Sequence, residues 1–295
     1  MSEPVQHISV SQIQMLEGCP EQHRLKYVKG LAQTFSHEAL IGQAVHKLPE
    51  YCMKAIQQGR PMPTRSEAID EIAKYWEEHQ DDPTISFLYR GSGYPVNKEK
   101  ALGSAIQMGR VMYDELLGIV SKGTWGSEFE FDIPIPSCEG WTFRGVIDHV
   151  RRIPVEFDVP LVGTDPRQTV IMLDDWKTTG KMWTQDKADQ SMQATAYCWA
   201  IHQLTGIYPR SVTFHVFTRP TSKNHVAWKS FETKRKIAVV KKFEATLKWA
   251  VKLATSHKED QPSEKRTDWE YHKYCPYREG CTPWEFSQTD PVSIV

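Results

Sequence analysis

Helical spacing of hydrophobic residues dominates the first 125 positions of the chain. Apolar residues recur three and four positions apart, which is typical of helices with one buried face. Thr64 and Glu67 form a capping-box pattern that predicts where one helix begins. Pro49 should end or kink the helix that contains it, because proline lacks a backbone N–H. The predicted helices cover residues 8–30 (two short helices), 37–59, 64–80 and 97–121.

The pattern changes at residue 127, where polar and apolar residues begin to alternate. Alternation with period two indicates strands, and the continuous apolar run 170–173 indicates a strand buried on both faces. Helices are predicted over 184–205 and 232–256. This order predicts an α/β (α+β) fold with a central mixed β-sheet flanked by helices. The predicted strands cover residues 127–135, 140–152, 168–177, 211–219 and 225–231.

The length of 295 residues suits one large domain, and we expect the whole chain to form it. Residues 1–125 would be a mainly helical N-terminal region and residues 126–256 the sheet core. Residues 257–295 would be a Cys-containing tail that packs back on the first helix.

Composition restricts the function classes. Hydrophobic residues make up 40% and charged residues 25%, which is ordinary for a soluble globular protein. The net charge of -1 means that any nucleic-acid site must be a local patch. The N-terminus lacks a secretory pattern, and no apolar run is long enough to span a bilayer. We therefore expect a cytoplasmic protein with no membrane partner, in which the six Cys are thiols or metal ligands.

Acidic residues end two neighbouring predicted strands. Asp148 closes the run GVID, and Asp174 with Asp175 closes the run VIML. Because side chains alternate along a strand, Asp175 shares a face with Lys177 while Asp174 points away. Two carboxylates on neighbouring strands suit Mg²⁺, and an imidazole from His46 would suit Mn²⁺ as well. Lys177 could then position or deprotonate a water, or stabilise charge on a phosphate.

Five motifs resemble those of the PD-(D/E)XK nuclease superfamily, and more narrowly of its RecB-like branch. They occur in the family's order, each on the expected element. The resemblance implies a restriction-endonuclease-like core and metal-dependent hydrolysis of DNA phosphodiester bonds. The motifs are ISVSQIQMLEGCP with Cys19, GQAVH with His46, GVID with Asp148, DDWKTTGK with Asp175 and Lys177, and QSMQATAYCWAI with Gln193 and Tyr197.

The resemblance implies catalytic roles for the matched residues. His46, Asp148 and Asp175 would bind Mg²⁺ or Mn²⁺, together with the backbone carbonyl of Trp176. Lys177 would activate or orient the attacking water. The weaker acidic candidates are Glu38, Glu128 and Glu130.

Contacts to DNA are expected around this centre. Gln193 would contact the attacking water or the DNA backbone, and Tyr197 would contact DNA, although packing between helices explains both equally well. Lys181 and Arg144 are the principal basic candidates for binding DNA. Further phosphate contacts are predicted from Arg151, Arg152 and Lys187.

A second set of residues resembles the metal ligands of one subset of the RecB-like branch. That subset holds an iron–sulfur cluster with one Cys after the first helix and three near the C-terminus. Cys19, Cys275 and Cys281 match, but His272 stands at the first tail position. Three alternatives follow: a [4Fe-4S] cluster with unusual ligation, a structural Zn²⁺ held by three Cys and one His, or packed thiols without a metal.

The sequence favours a stand-alone phage or bacterial DNA exonuclease that acts in recombination or repair. The alternatives are a nuclease of the CRISPR-adaptation type and a non-catalytic DNA-binding scaffold with the nuclease fold. Single-stranded DNA and double-stranded ends are both open as substrates, as are a homo-oligomer and a partner recombination protein.

Overall fold

A computed structural model describes residues 6–88, 93–120, 124–154, 169–263, 275–277 and 281. Helices dominate the first part of the chain, as the hydrophobic spacing predicts. The elements there are β1 (Gln6–Ile8), α1 (Val10–Gly18), α2 (Pro20–Tyr27), β2 (Phe35–Ser36), α3 (His37–Gln57), α4 (Arg65–His79), β3 (Ile85–Ser86) and α5 (Lys98–Val120).

Strands and helices alternate in the second part. The elements there are β4 (Thr124–Pro134), β5 (Trp141–Pro154), β6 (Thr169–Thr179), α6 (Gln185–Asp189), α7 (Met192–Thr205), β7 (Ser211–Thr218), β8 (Trp228–Thr233) and α8 (Ile237–Ser256).

Local signals explain most of the helix boundaries. Thr64 and Glu67 form both hydrogen bonds of the predicted capping box at the start of α4. The predicted helix over 184–205 is instead two helices, because the hydroxyl of Ser191 accepts the N–H of Ala194 and starts α7 anew. Pro49 does not end its helix: α3 continues through it to Gln57, with Pro49 buried.

The described strands form a mixed sheet. β5 pairs with β4 along one edge and with β1 and β6 along the other, and β6 continues to β7 and β8. The β1–β5 and β6–β7 pairs are parallel, whereas the β4–β5, β5–β6 and β7–β8 pairs are antiparallel. The pair β6–β7 is parallel because α6 and α7 return the chain to the same end of the sheet.

Helices cover both faces of the sheet. On one face, Leu173 and Phe214 of the sheet pack in one cluster with Trp199 of α7 and Phe243 of α8. On the other face, Trp176 of β6 packs in a second cluster with residues of α3, α4 and α5. The predicted mixed sheet flanked by helices is therefore confirmed, and alternate residues of β6 contribute to different cores.

Within the described residues, every helix is too short or too polar to cross a membrane.

Candidate active site

Asp148 and Asp175 come together where two strands separate. The pairing of β5 with β6 runs from Pro154–Thr169 to His149–Asp174 and ends there. Asp148 and Asp175 are the next residues on each strand, so both side chains project from the same face of the sheet. The backbone N–H of Trp176 donates to Asp148 Oδ2 over 2.8 Å, which fixes the Asp148 carboxylate against β6.

Three predicted residues meet around the Asp175 carboxylate, which is fully buried. Lys177 Nζ lies 2.6 Å from Asp175 Oδ2. The Lys177 contact is a close ion pair between the ammonium and this buried oxygen. Gln193 Nε2 donates to Asp175 Oδ1 over 3.0 Å, and the hydroxyl of Tyr197 donates to the same oxygen over 3.3 Å.

The pKa values of Asp175 and Lys177 are both raised. Burial, together with the nearby negative charge of Asp148, raises the pKa of Asp175 to about 7 despite the opposing attraction of Lys177. Burial alone would lower the pKa of Lys177, but the negative charges of Asp175 and Asp148 outweigh it and raise that pKa. Lys177 is therefore an ammonium at neutral pH. It is better suited to hold and orient a water or a phosphate oxygen than to remove a proton.

α3 brings His46 to the same place from the N-terminal region. His46 Nδ1 lies 3.6 Å from Asp148 Oδ2. Burial lowers the pKa of His46 more than Asp148 raises it, so the imidazole is neutral and able to act as a ligand. Gly42 explains how α3 approaches so closely, since a Cβ there would lie 2.9 Å from the hydroxyl oxygen of Thr178.

One carboxylate near the site is more prominent than the sequence indicates. The register of β4 and β5 places Glu128 opposite Asp148. Burial and the nearby carboxylates of Asp148 and Glu50 raise the pKa of Glu128 to about 7. Its φ of 46° lies in the left-handed region that non-glycine residues rarely adopt, and alternation along β4 gives no sign of this strain.

The other acidic candidates lie elsewhere. Glu130 is exposed on β4. Glu38 lies 3.9 Å from Arg219 Nη1, near the start of α3.

A cleft of about 780 Å³ opens beside Lys177 and Gln193. Gln14 and Glu17 of α1 form one side of it. Lys187 lies across Trp183, with Nζ 4.4 Å from the ring centroid, so a cation covers an aromatic surface in the cleft. Its remaining lining residues are Thr184, Asp186, Gln190, Ser191 and Met192.

The predicted DNA contacts occupy different environments. Lys181 is exposed just beyond β6. Arg144 is exposed, but it is paired with Asp132 over 2.6 Å. Tyr197 is 4% exposed and contacts Asp175 rather than the surface. Arg152 is exposed at the edge of β5 and donates to Thr169. The phosphate contact predicted for Arg151 is wrong, because that residue is 6% exposed.

Three of the four predicted Cys and His ligands fall in described residues. Cys19 is buried between α1 and α2, and Cys275 Sγ accepts a hydrogen bond from Gln22 Nε2 over 3.1 Å. Cys281 packs with Leu25 of α2 and with Tyr277. Burial is the largest cause that raises the pKa of the Cys275 thiol, and the nearby Cys19 raises it further. His272, and most of the predicted tail, lie outside the described residues.

The described ranges contain no group of three His, Cys, Asp or Glu side chains arranged to hold a metal ion. Around Asp175 this agrees with the contact between Lys177 and Asp175, since the ammonium lies against the carboxylate. Mg²⁺ commonly uses only one or two carboxylates and takes its other ligands from water and substrate. The pair Asp148 and Asp175 therefore fits such an ion without a third side chain.

Comparison with known proteins gives one family. No curated protein matches the chain. The family model of the PD-(D/E)XK nuclease superfamily matches residues 7–282, which is most of the 295 residues. The matched range includes His46, Asp148, Asp175, Lys177 and Gln193, and the mixed sheet between helices is consistent with the restriction-endonuclease-like fold of that family. The chain therefore belongs to the PD-(D/E)XK nuclease superfamily.

Proposed function

We propose that the chain is a Mg²⁺- or Mn²⁺-dependent DNA exonuclease of the RecB-like branch. It would act on single-stranded DNA or double-stranded ends in the cytoplasm, during phage or bacterial recombination or repair. The observation that carries the proposal is the meeting of Asp148, Asp175, Lys177 and Gln193 beside an open cleft. A fully buried carboxylate beside a second, half-buried carboxylate is costly to fold, which favours a catalytic role.

Asp148 and Asp175 would hold the divalent ion, with His46 and the carbonyl of Trp176 as further ligands. The donor set supports this assignment. Asp175 Oδ2 is buried without a hydrogen bond, and the negative charge of Asp148 disfavours the ionised form of Asp175. Bound there, the ion would neutralise both carboxylates and polarise the scissile phosphate.

Lys177 and Gln193 would act on the water and the phosphate. The Lys177 ammonium is partly exposed to the cleft and would orient the attacking water and stabilise negative charge on the phosphate. Gln193 donates through its amide and would hold the same water or a phosphate oxygen once Asp175 takes up the ion. Tyr197 would keep Gln193 in place, since Gln193 Nε2 lies 2.6 Å from its hydroxyl.

DNA would enter through the cleft beside Lys177. Lys187 and Lys181 would contact phosphates, and Trp183 offers an aromatic surface once Lys187 turns away. Arg144 would contribute after release from Asp132. Binding through such contacts should weaken as the salt concentration rises.

Replacing Lys177 with alanine should reduce DNA cleavage by about a hundredfold to a thousandfold, since it removes the charge that orients and stabilises the reacting groups. The measurement is a time course on end-labelled single- and double-stranded DNA with Mn²⁺ and with EDTA. Lys223→Ala, at an exposed position, is the matched control and should cleave as the wild type does. Equal products from wild type and Lys177→Ala would contradict the catalytic assignment. DNA binding without cleavage by the wild type would favour the non-catalytic scaffold.

We also propose that Cys19, Cys275 and Cys281, with His272, hold either an iron–sulfur cluster or Zn²⁺. The observation that supports it is the position of all three cysteines around α2, with Cys19 near enough to Cys275 to raise its pKa. The three described cysteines do not already form a ligand group, so metal binding would draw them together. Protein purified without oxygen should contain stoichiometric iron with a visible absorption band, or stoichiometric zinc without one. Cys275→Ser should lose that metal while retaining Mn²⁺ binding at the catalytic site. Protein with neither metal would leave these residues as packed thiols.

A further inference from the structure

A second charged centre lies directly behind the catalytic strand. Asp174 is fully buried and faces away from Asp175. Arg151 binds both of its oxygens, with Nε 2.6 Å from Oδ2 and Nη2 2.7 Å from Oδ1. His149 Nδ1 lies 3.0 Å from Oδ2, and His215 Nε2 lies 3.2 Å from Oδ1.

The contacts extend across the sheet on both sides of Asp174. His149 Nε2 lies 3.1 Å from the hydroxyl oxygen of Thr124 on β4. His215 Nδ1 lies 2.8 Å from the hydroxyl oxygen of Ser230 on β8. We refer to Thr124, His149, Asp174, His215 and Ser230 as the polar row, which crosses five adjacent strands through side chains alone.

The polar row lies at the point where β5 and β6 separate. His149 and Asp174 are the last paired residues of these strands, and the proposed metal ligands Asp148 and Asp175 follow them directly. The last pair therefore sets the point at which both carboxylates leave the paired strands, and the His149–Asp174 contact of the polar row joins the two residues of that pair.

Trp176 provides a second connection to the site. Its ring lies beside those of His149 and His215, with centroid distances of 5.8 Å and 5.7 Å. Its backbone N–H donates to Asp148 over 2.8 Å. The row therefore constrains the residue whose backbone holds Asp148.

Stability alone does not account for such a buried ionic group. Well-packed apolar residues of similar volume are often as stable as a buried ion pair or more stable. Buried polar groups can instead specify one arrangement among several. We propose, on the basis of the proposed metal-dependent function, that Asp174 is a positioning residue whose contacts set the separation of Asp148 and Asp175, and with it the affinity for the divalent ion.

Asp174→Asn should weaken Mn²⁺ binding by about tenfold or more, the effect typical of groups that orient metal ligands. Binding is measured by the electron paramagnetic resonance of free Mn²⁺, without DNA and well below the unfolding temperature. Arg24→Met is the matched control. Arg24 forms an equally buried ion pair with Glu21, 2.6 Å apart, but it lies in α2 away from the site. This control should lose stability and keep its Mn²⁺ affinity.

Arg151→Lys keeps the positive charge but loses the two-point contact, so it should bind Mn²⁺ with intermediate affinity. If Asp174→Asn does not fold, the Mn²⁺ affinity of Arg151→Lys still tests the proposal. Unchanged affinity in the folded variants, with Mn²⁺ bound by the wild type, would overturn this inference alone. A wild type that binds no Mn²⁺ would overturn the proposed function and this inference together.

Discussion

Asp175→Asn should abolish DNA cleavage and yet make the metal-free protein more stable at pH 8. The carboxylate is fully buried, and its pKa is raised to about 7 from an ordinary value of 3.8. Holding it ionised in the folded state therefore opposes folding by up to about 4 kcal/mol. The raised pKa already includes the attraction of Lys177, and that ammonium is partly exposed, so it keeps contact with water when asparagine replaces the carboxylate. Asparagine therefore removes the cost together with the proposed metal-binding carboxylate, so stability and activity should change in opposite directions.

The pH dependence follows from the same shift. Between pH 3.8 and about pH 7 the folded protein keeps the Asp175 proton that the unfolded chain has lost. Raising the pH through this range therefore destabilises the metal-free wild type. The asparagine variant lacks this contribution. Its free energy of unfolding should therefore exceed that of the wild type only slightly near pH 4, by a growing margin through this range, and by the full margin above pH 7.

Urea unfolding in EDTA at pH 5 and pH 8 measures the difference, and Asp174→Asn is the comparison. Burial alone would raise the pKa of Asp174, but hydrogen bonds from His149, His215 and Arg151 outweigh it and lower that pKa. Removing its charge leaves Arg151 buried without its partner, which costs about 3–5 kcal/mol. Two adjacent aspartates should thus give opposite results. An Asp175→Asn protein that is less stable than the wild type at pH 8 would contradict the raised pKa of Asp175 on which this prediction depends.

Arg24→Met should reduce the free energy of unfolding by about 3–5 kcal/mol, which is typical of breaking a buried ion pair. Arg24 binds both oxygens of Glu21 and donates to the carbonyls of Lys258 and Glu259. Glu21 in turn accepts the N–H of Ser263, so the pair joins α2 to the segment after α8. Urea unfolding at pH 7 gives the loss, and limited proteolysis should cut the variant faster after residue 257.

The double variant Glu21→Leu with Arg24→Met is the control. It removes both charges, so no unpaired ion is left, and it should recover much of the lost stability. A loss below about 1 kcal/mol in Arg24→Met would mean that the pair behaves like an exposed one.

The sequence predicts the side-chain arrangement of β6 well, because the alternation of side chains along a strand decides it. Alternation assigns Asp175 and Lys177 to one face and Asp174 to the other, and β6 has this arrangement. The mixed sheet and most helix positions follow from hydrophobic spacing in the same way, and the family match confirms the superfamily.

The partners of Asp174 could not be predicted from the sequence. His149 and Arg151 belong to β5 and His215 to β7, and the pattern of one strand does not give its register with the next. Arg151 illustrates the consequence. It is close in sequence to Asp148 and basic, which indicates a phosphate contact, but it shares a face with Asp174 and is buried.

The polar row also has a consequence for the order of folding. The chain must close residues 180–210 before β7 can pair with β6, and such long-range parallel pairing is slow. Until then Asp174 lacks His215, and the row cannot extend to Ser230. We expect the docking of β7 to be the late step, so that the candidate active site is completed only when most strands of the sheet have paired.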